Sequence, residues 1–335
     1  GDIVFYIQEA DGGHFGFIEM AKIAGIHLEP IVFDHTSQLV DIDSTIRRMK
    51  DVQSSSGQGR IGGKIKAIIF SSSFILRKHK IREFCLRIKN EFPDIVITFD
   101  GSHILGLIIG AQYPNPLEHG VDIFHATTHK TFPGPQKAII AFANALDPGL
   151  ISKICNTVCP ILQSNCGTSE VLALAIAFEE MRRFGRDYAA AICENAKALA
   201  INLNNQGFNI IGENFGFTET HQVWINIGDK GQTLQAFRLL HETGIRANPA
   251  VLPFSGGRWG LRLGTPSITR RGMGLSEIAD IARLMKKCLI EKIDPNKIRN
   301  EIKGLISAFP LETLKYILPE AEVDKLYSLK EDYYQ

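Results

Sequence analysis

The chain has 335 residues, 44% of them hydrophobic and 22% charged, with a formal net charge of +1. That is ordinary globular composition, long enough for one large or two medium domains with a substantial core. The near-neutral balance gives no reason to expect a nucleic acid or an acidic membrane surface as partner, and the longest apolar candidates, such as Ile104 to Ala111, are far too short to span a bilayer.

The chain opens on a β-branched run, Ile3–Ile7, and no signal peptide is expected. Further candidate strands are Ile31-Val32-Phe33, Ile65–Phe70, Ile95–Phe99, Ile123-Phe124 and Ala138–Phe142. Helical periodicity fills several of the gaps, for example Ile81 to Glu91. Apolar strands separated by helices predict an α/β fold: a mainly parallel sheet covered on both faces. The Ser54 to Gly63 tract reads as a surface loop. It is not a phosphate loop, because it lacks the required lysine in a strand-to-helix context.

From Val171 the pattern changes. Val171–Phe184 and Arg186–Asn205 read as two helices, and Gly207 as a helix stop. Strands are predicted at Phe208–Ile211, Gln222–Ile227 and Leu261-Arg262-Leu263, with a helix over Gln232–Thr243. A last helix is expected to start at the Ser276-Glu277 cap. The implied organisation is a large domain over 1–185, a small α+β domain over 186–293 and a charged helical tail over 294–335. Cys85, Cys155, Cys159, Cys166, Cys193 and Cys288 form no CxxC pair and have no histidines at zinc-like spacing. They read as reduced thiols, in keeping with a cytoplasmic location and no metal site.

The chemistry concentrates in a few segments. Lys130 lies in Thr127-Thr128-His129-Lys130-Thr131, and Asp100 ends the apolar run Ile95–Phe99. A lysine among threonines suits a Schiff base to pyridoxal 5'-phosphate (PLP), if its surroundings lower its pKa. A carboxylate at the carboxyl end of a buried strand stands where open α/β sheets bind ligands. It could keep the pyridine nitrogen protonated. Plainer readings stand beside these: a surface lysine, and a helix-capping aspartate before Gly101-Ser102. His103 is either a cavity residue or structural. Gly12-Gly13-His14 is either a platform for a flat ring or a simple turn. Arg262, between leucines, either binds a substrate carboxylate or pairs internally with an acid.

Together these segments resemble serine hydroxymethyltransferase and its relatives among the fold-type I PLP enzymes, over about residues 1 to 290. Asp11-Gly12-Gly13-His14 resembles the turn whose histidine stacks on PLP. Asp100-Gly101-Ser102-His103 resembles the segment whose aspartate pairs with the pyridine nitrogen and whose histidine lies near the phenolic oxygen. Thr127–Thr131 with Gly134-Pro135 resembles the Schiff-base motif, and Gly260–Pro266 the carboxylate-binding segment. The resemblance implies a seven-stranded type of sheet and PLP on Lys130. It assigns Lys130, His14 and Thr127 to catalysis, and Asp100, His103, Ser72, His14 and His129 to the cofactor. Arg262 would bind substrate.

It further implies cleavage or formation of the Cα–Cβ bond of β-hydroxy amino acids, with amino acids and aldehydes as substrates, and a homodimer or larger assembly. Departures accompany it: Phe17 where the family has a second histidine, Gln136 for an arginine, Ser164-Asn165 for a glycine pair, and a short loop from Ala247 to Trp259. These place tetrahydrofolate use in doubt and keep a folate-independent threonine transaldolase or aldolase as an alternative. The family's portion before the glycine-glycine-histidine turn, with a catalytic glutamate and a phosphate loop, is expected to be missing. A catalytically incomplete fragment, or a paralogue acting as a binding subunit, is therefore a third reading.

Overall fold

A computed structural model describes residues 1–57 and 63–328. Strands β1 (Ile3–Tyr6), β2 (His27–Pro30), β5 (Ile65–Ser71), β6 (Val96–Asp100), β7 (Ile123–Thr127) and β8 (Ala138–Phe142) form one sheet in the order β2-β1-β5-β6-β7-β8. All neighbours are parallel except β7 and β8. The described sheet thus has six strands where the resemblance implied seven. The run Ile31-Val32-Phe33 does not enter it. The polar segment at His27–Pro30 pairs with β1 instead, and Phe33–Asp34 (β3) turns away to pair with Leu39–Val40 (β4).

Helices α1 (Gly16–Ala24), α2 (Ile42–Gly57), α3 (Ile81–Glu91) and α4 (Leu105–Ile109) connect these strands, and α5 (Pro148–Asn156) follows them. Part of the tract expected as a loop, Ser54 to Gly57, belongs to α2, while 58–62 lies outside the described residues.

One helix, α6 (Thr168–Asn205), runs unbroken for 38 residues where the sequence predicted two. Gly185 does not break it. Gly185 O lies 2.3 Å from where a Cβ on Gly110 would stand, so the bare Gly110 lets the end of α4 meet the backbone of α6. The buried apolar side chains fall into two main clusters. The first gathers the six-stranded sheet with α6 as far as Ile192. The second takes α6 from Ala196 onward.

That second cluster is built on the antiparallel sheet β10-β11-β9 (Asn248–Val251, Trp259–Gly264, Gln222–Gly228). Helices α7 (Lys230–Thr243), α8 (Pro266–Arg270), α9 (Leu275–Leu289) and α10 (Pro295–Ser307) complete the region, with α11 (Glu320–Ser328) in the tail. Phe208–Ile211 forms only a single bridge, Ile210 to Ile225. The N-cap of α9 is Gly274 rather than Ser276, and the Glu277 side chain accepts from its N–H at 2.7 Å. The tail packs inward through Ile298 and Ile302 of α10.

Candidate active site

The period-two alternation of strands builds the site. Phe70, Phe99 and Phe124 face one side of adjacent strands, in register. Phe70 stacks on Phe99 at 5.4 Å, and Phe99 on Phe124 at 6.4 Å. One residue on, Ser71, Asp100 and His125 form the next row, at the carboxyl edge of the sheet. Ser71 Oγ donates to Asp100 Oδ2 at 2.9 Å. The Ser102 N–H donates to Oδ1 at 2.9 Å, and the Ser102 hydroxyl donates to the same oxygen. His125 Nδ1 lies 3.8 Å from Oδ1. Asp100 is therefore a fixed carboxylate, oriented by neighbours on both sides. It is not a helix cap: α4 starts five residues later, with Ile104 as its N-cap.

Lys130 follows β7 on the same edge. Its pKa is lowered, first by burial; the Asp100 carboxylate works against that, and the Arg262 guanidinium adds to it. The surface-lysine reading thus gives way to a half-buried amine flanked by one anion and one cation. His103 is held well below the usual imidazole range. Burial is the main cause, followed by the positive charges of Lys130 and Arg262 and the nearby His221 and His14. His103 thus stands within electrostatic reach of Lys130, Arg262, His221 and His14, drawn from distant parts of the chain.

His14 sits on a turn that only glycines permit. Gly12 has φ +93°, and a Cβ there would lie 2.6 Å from Phe74 O; a Cβ on Gly13 would lie 1.8 Å from Ile7 O. The turn is fastened to the loop after β5, where the N–H groups of Ser73 and Phe74 both donate to Gly12 O. The half-buried His14 ring accepts from Gly16 N at 3.0 Å and stacks on Phe15 at 4.8 Å.

The same loop receives Arg262 from β11. Arg262 Nη1 donates to Ser73 O at 2.9 Å, and its guanidinium lies 4.7 Å above the Phe74 ring. Arg262 has no ion pair with an acid, so the internal-pair alternative falls away among the described residues. Burial pulls its pKa down from the ordinary value. It keeps its charge all the same.

The other predicted residues are less central. Thr127 donates its N–H to Ser102 Oγ at 3.1 Å. Ser72 is half-buried, one residue beyond the Ser71 that touches Asp100, and His129 is exposed. Sequence reasoning missed Ser71, Ser102, His125 and His221. The first three lie inside or beside the quoted motifs, and strand alternation from Asp100 would have found Ser71 and His125. His221 carried no local signal. It is buried, stacks parallel to His103 at 6.3 Å, and its Nδ1 has no hydrogen-bond partner. Burial, with Arg262 and Lys130 nearby, pushes its pKa down to about 3, so it is a neutral imidazole.

Among the described residues no helix is long and apolar enough to cross a membrane. Residues 1–285 match the serine hydroxymethyltransferase family. A serine hydroxymethyltransferase from Korarchaeum cryptofilum is 32% identical over 96% of this chain and 74% of its own length. One from Sulfolobus acidocaldarius is 34% identical over 98% and 73%. Among solved structures, L-threonine transaldolase from Pseudomonas fluorescens, in its internal aldimine state, superposes with a TM-score of 0.88. It is 36% identical over 98% of this chain and 72% of that one. The chain belongs to the serine hydroxymethyltransferase family.

Proposed function

We infer that the pocket holds PLP and that the chain is an enzyme making or breaking the Cα–Cβ bond of β-hydroxy amino acids. The residues fit that cofactor. Lys130 is an amine whose proton is easily lost, Asp100 is a carboxylate fixed by three donors, and His14 and His103 offer flat rings nearby. Lys130 would attach the cofactor, Asp100 would hold a proton on its ring nitrogen, and His14 would stack on it. Ser72 and His129 remain candidate contacts. Bound PLP supplies an electron sink for the charge left at Cα.

The protein's own groups do the rest. Arg262, unpaired with any acid, binds the amino-acid carboxylate. Its anchorage on Ser73 O and Phe74 fixes the side from which substrate enters. His103 and His221, kept neutral, add no positive charge beside Lys130 and so do not oppose proton uptake by that amine. Thr127, tied to Ser102, orients the backbone leading to Lys130. The observation that carries this reading is the convergence of Lys130, Asp100 and Arg262 on one sheet edge.

A folate-independent transaldolase is the second reading. Gln136 in place of the family's arginine favours it. We propose amino acid and aldehyde substrates, no use of tetrahydrofolate, a cytoplasmic location and assembly as a homodimer. The test is the visible absorption spectrum of the protein with added PLP, before and after glycine or threonine, followed by aldehyde and tetrahydrofolate acceptors in parallel. A band that shifts with the amino acid supports the site. Turnover with tetrahydrofolate but not with a second aldehyde would reverse the choice of acceptor.

A further inference from the structure

Behind the His14 turn lies an enclosed cavity of about 10 Å³. Its polar walls are Asp11, Gln38, Arg77 and His79, and Trp224 and Phe254 close it on the apolar side. Each of the four polar residues presents a buried atom without a hydrogen bond: Asp11 Oδ1, Gln38 Oε1, Arg77 Nε and His79 Nδ1. Asp11, Gln38 and His79 are each at least nine-tenths buried. Two of these atoms have polar neighbours that do not satisfy them. His35 Nε2 lies 2.9 Å from Asp11 Oδ1 but outside hydrogen-bond geometry, and Glu219 Oε2 is 3.9 Å from Arg77 Nε, too far to bond. Leaving such atoms unmatched is destabilising, because each has given up its water for nothing.

We propose that this cavity is a binding site for one ordered water molecule that joins the His14 turn to the rest of the pocket's frame. The count of donors and acceptors selects it. Asp11 Oδ1 and Gln38 Oε1 only accept, Arg77 Nε–H only donates, and His79 Nδ1 donates in the tautomer that carries its proton there. Two acceptors and two donors are the complement of one water, which donates twice and accepts twice. A metal or ammonium cation would face the Arg77 guanidinium, and an anion would face the Asp11 carboxylate. The volume matches a single water, which needs about 10–15 Å³ by the same kind of measure. His79 is kept neutral by burial, its pKa down to about 4, so it can hold that tautomer over the physiological range.

The placement gives the water its role. Asp11 is followed directly by Gly12-Gly13-His14. Arg77 and His79 lie on the segment after Ser73-Phe74, which receives Arg262. Trp224 comes from β9, the partner of β11. The water is the polar joint between the Asp11 turn, the loop that carries Gln38 and the Arg77–His79 segment, closed over by Trp224. This inference holds whether or not the proposed reaction is right, because its test needs neither cofactor nor turnover.

The experiment is a crystal structure of the full chain at a resolution that shows ordered solvent, paired with His79→Phe. That variant keeps a ring for the edge contacts to Phe33 and Phe70 (5.8 and 4.9 Å) and removes the donor. The expected result is one solvent peak within hydrogen-bond distance of all four atoms in the native chain. In His79→Phe the peak should be lost and residues 11–14 should become the least ordered part of the pocket. An empty cavity, a peak with metal-ion coordination, or a peak unchanged in His79→Phe would overturn the proposal. Should His79→Phe fail to fold, the native density alone decides.

Discussion

Asp100 and Arg262 are held in opposite ways. Asp100 ends a central strand, and its carboxylate is held on both oxygens: Ser71 on one, the N–H and hydroxyl of Ser102 on the other, with His125 beyond. Arg262 stands on a three-stranded sheet of the second core. Among the described residues its fixed partners are one carbonyl and the face of one ring. A carboxylate held by three donors, with acceptor capacity left on Oδ2, is set before any ligand arrives, as an electrostatic partner to a fixed atom must be. A buried guanidinium with most of its five donors unspent is set to receive something.

Substitutions can break this contrast or sharpen it. The largest effect is expected at the amine between the two. Lys130→Ala should lower kcat by roughly 10³-fold or more, and no PLP adduct should be trapped by borohydride. A trapped adduct in that variant would remove Lys130 from its role. Asp100→Asn keeps the shape and removes the charge. It should cost roughly 10²–10⁴-fold in kcat with little change in KM. It should also lower the Lys130 pKa further, since the carboxylate is what pushes that pKa up, and the pH dependence of the rate at which cofactor-free protein takes up PLP checks the sign.

Arg262→Lys tests the opposite kind of anchorage. It keeps the charge but loses the fork, so KM for the amino acid should rise about 10- to 100-fold with a smaller loss in kcat. A pure kcat effect would mean that Arg262 does not bind the substrate carboxylate. Ser71→Ala removes one of Asp100's donors and leaves the Ser102 contacts, so about a tenfold loss in kcat or less is expected, without a KM change.

The smallest effect concerns stability. His79 and His221 titrate near 4 and 3 in the folded chain, below the ordinary value of about 6.5. The unfolded chain therefore binds more protons between those limits, and stability should fall as pH drops from about 6.5 towards 4. Denaturant midpoints at a series of pH values measure this, and no slope attributable to His221 in a His221→Asn comparison would contradict its burial as a neutral ring.

Much of the site was legible because it rides on regular structure. A strand as apolar as Ile95–Phe99 announces its own end, so the residue that follows is placed at a sheet edge before any coordinates are known. Arg262 between two leucines was similarly exposed by alternation. What escaped had no periodicity to betray it. His27–Pro30 became a strand because it pairs with β1, not because its residues favour one. Gly185 reads as a break, yet tertiary contact with Gly110 makes it a packing surface within one helix. His221 lies 118 positions from His103 along the chain, and only the folded arrangement stacks them. The cavity behind the turn draws its walls from five segments, none of which stands out alone.

Helix α6 carries a mechanical consequence. At 38 residues it is about 57 Å long, and its two halves are embedded in different cores. The amine and carboxylate belong to one core and the guanidinium to the other, so a single unjointed beam sets the span between them. Any opening of the cleft must pivot about that beam or bend it; it cannot slide along it. The gap in which a substrate is gripped is thus fixed by a part of the molecule that never touches it.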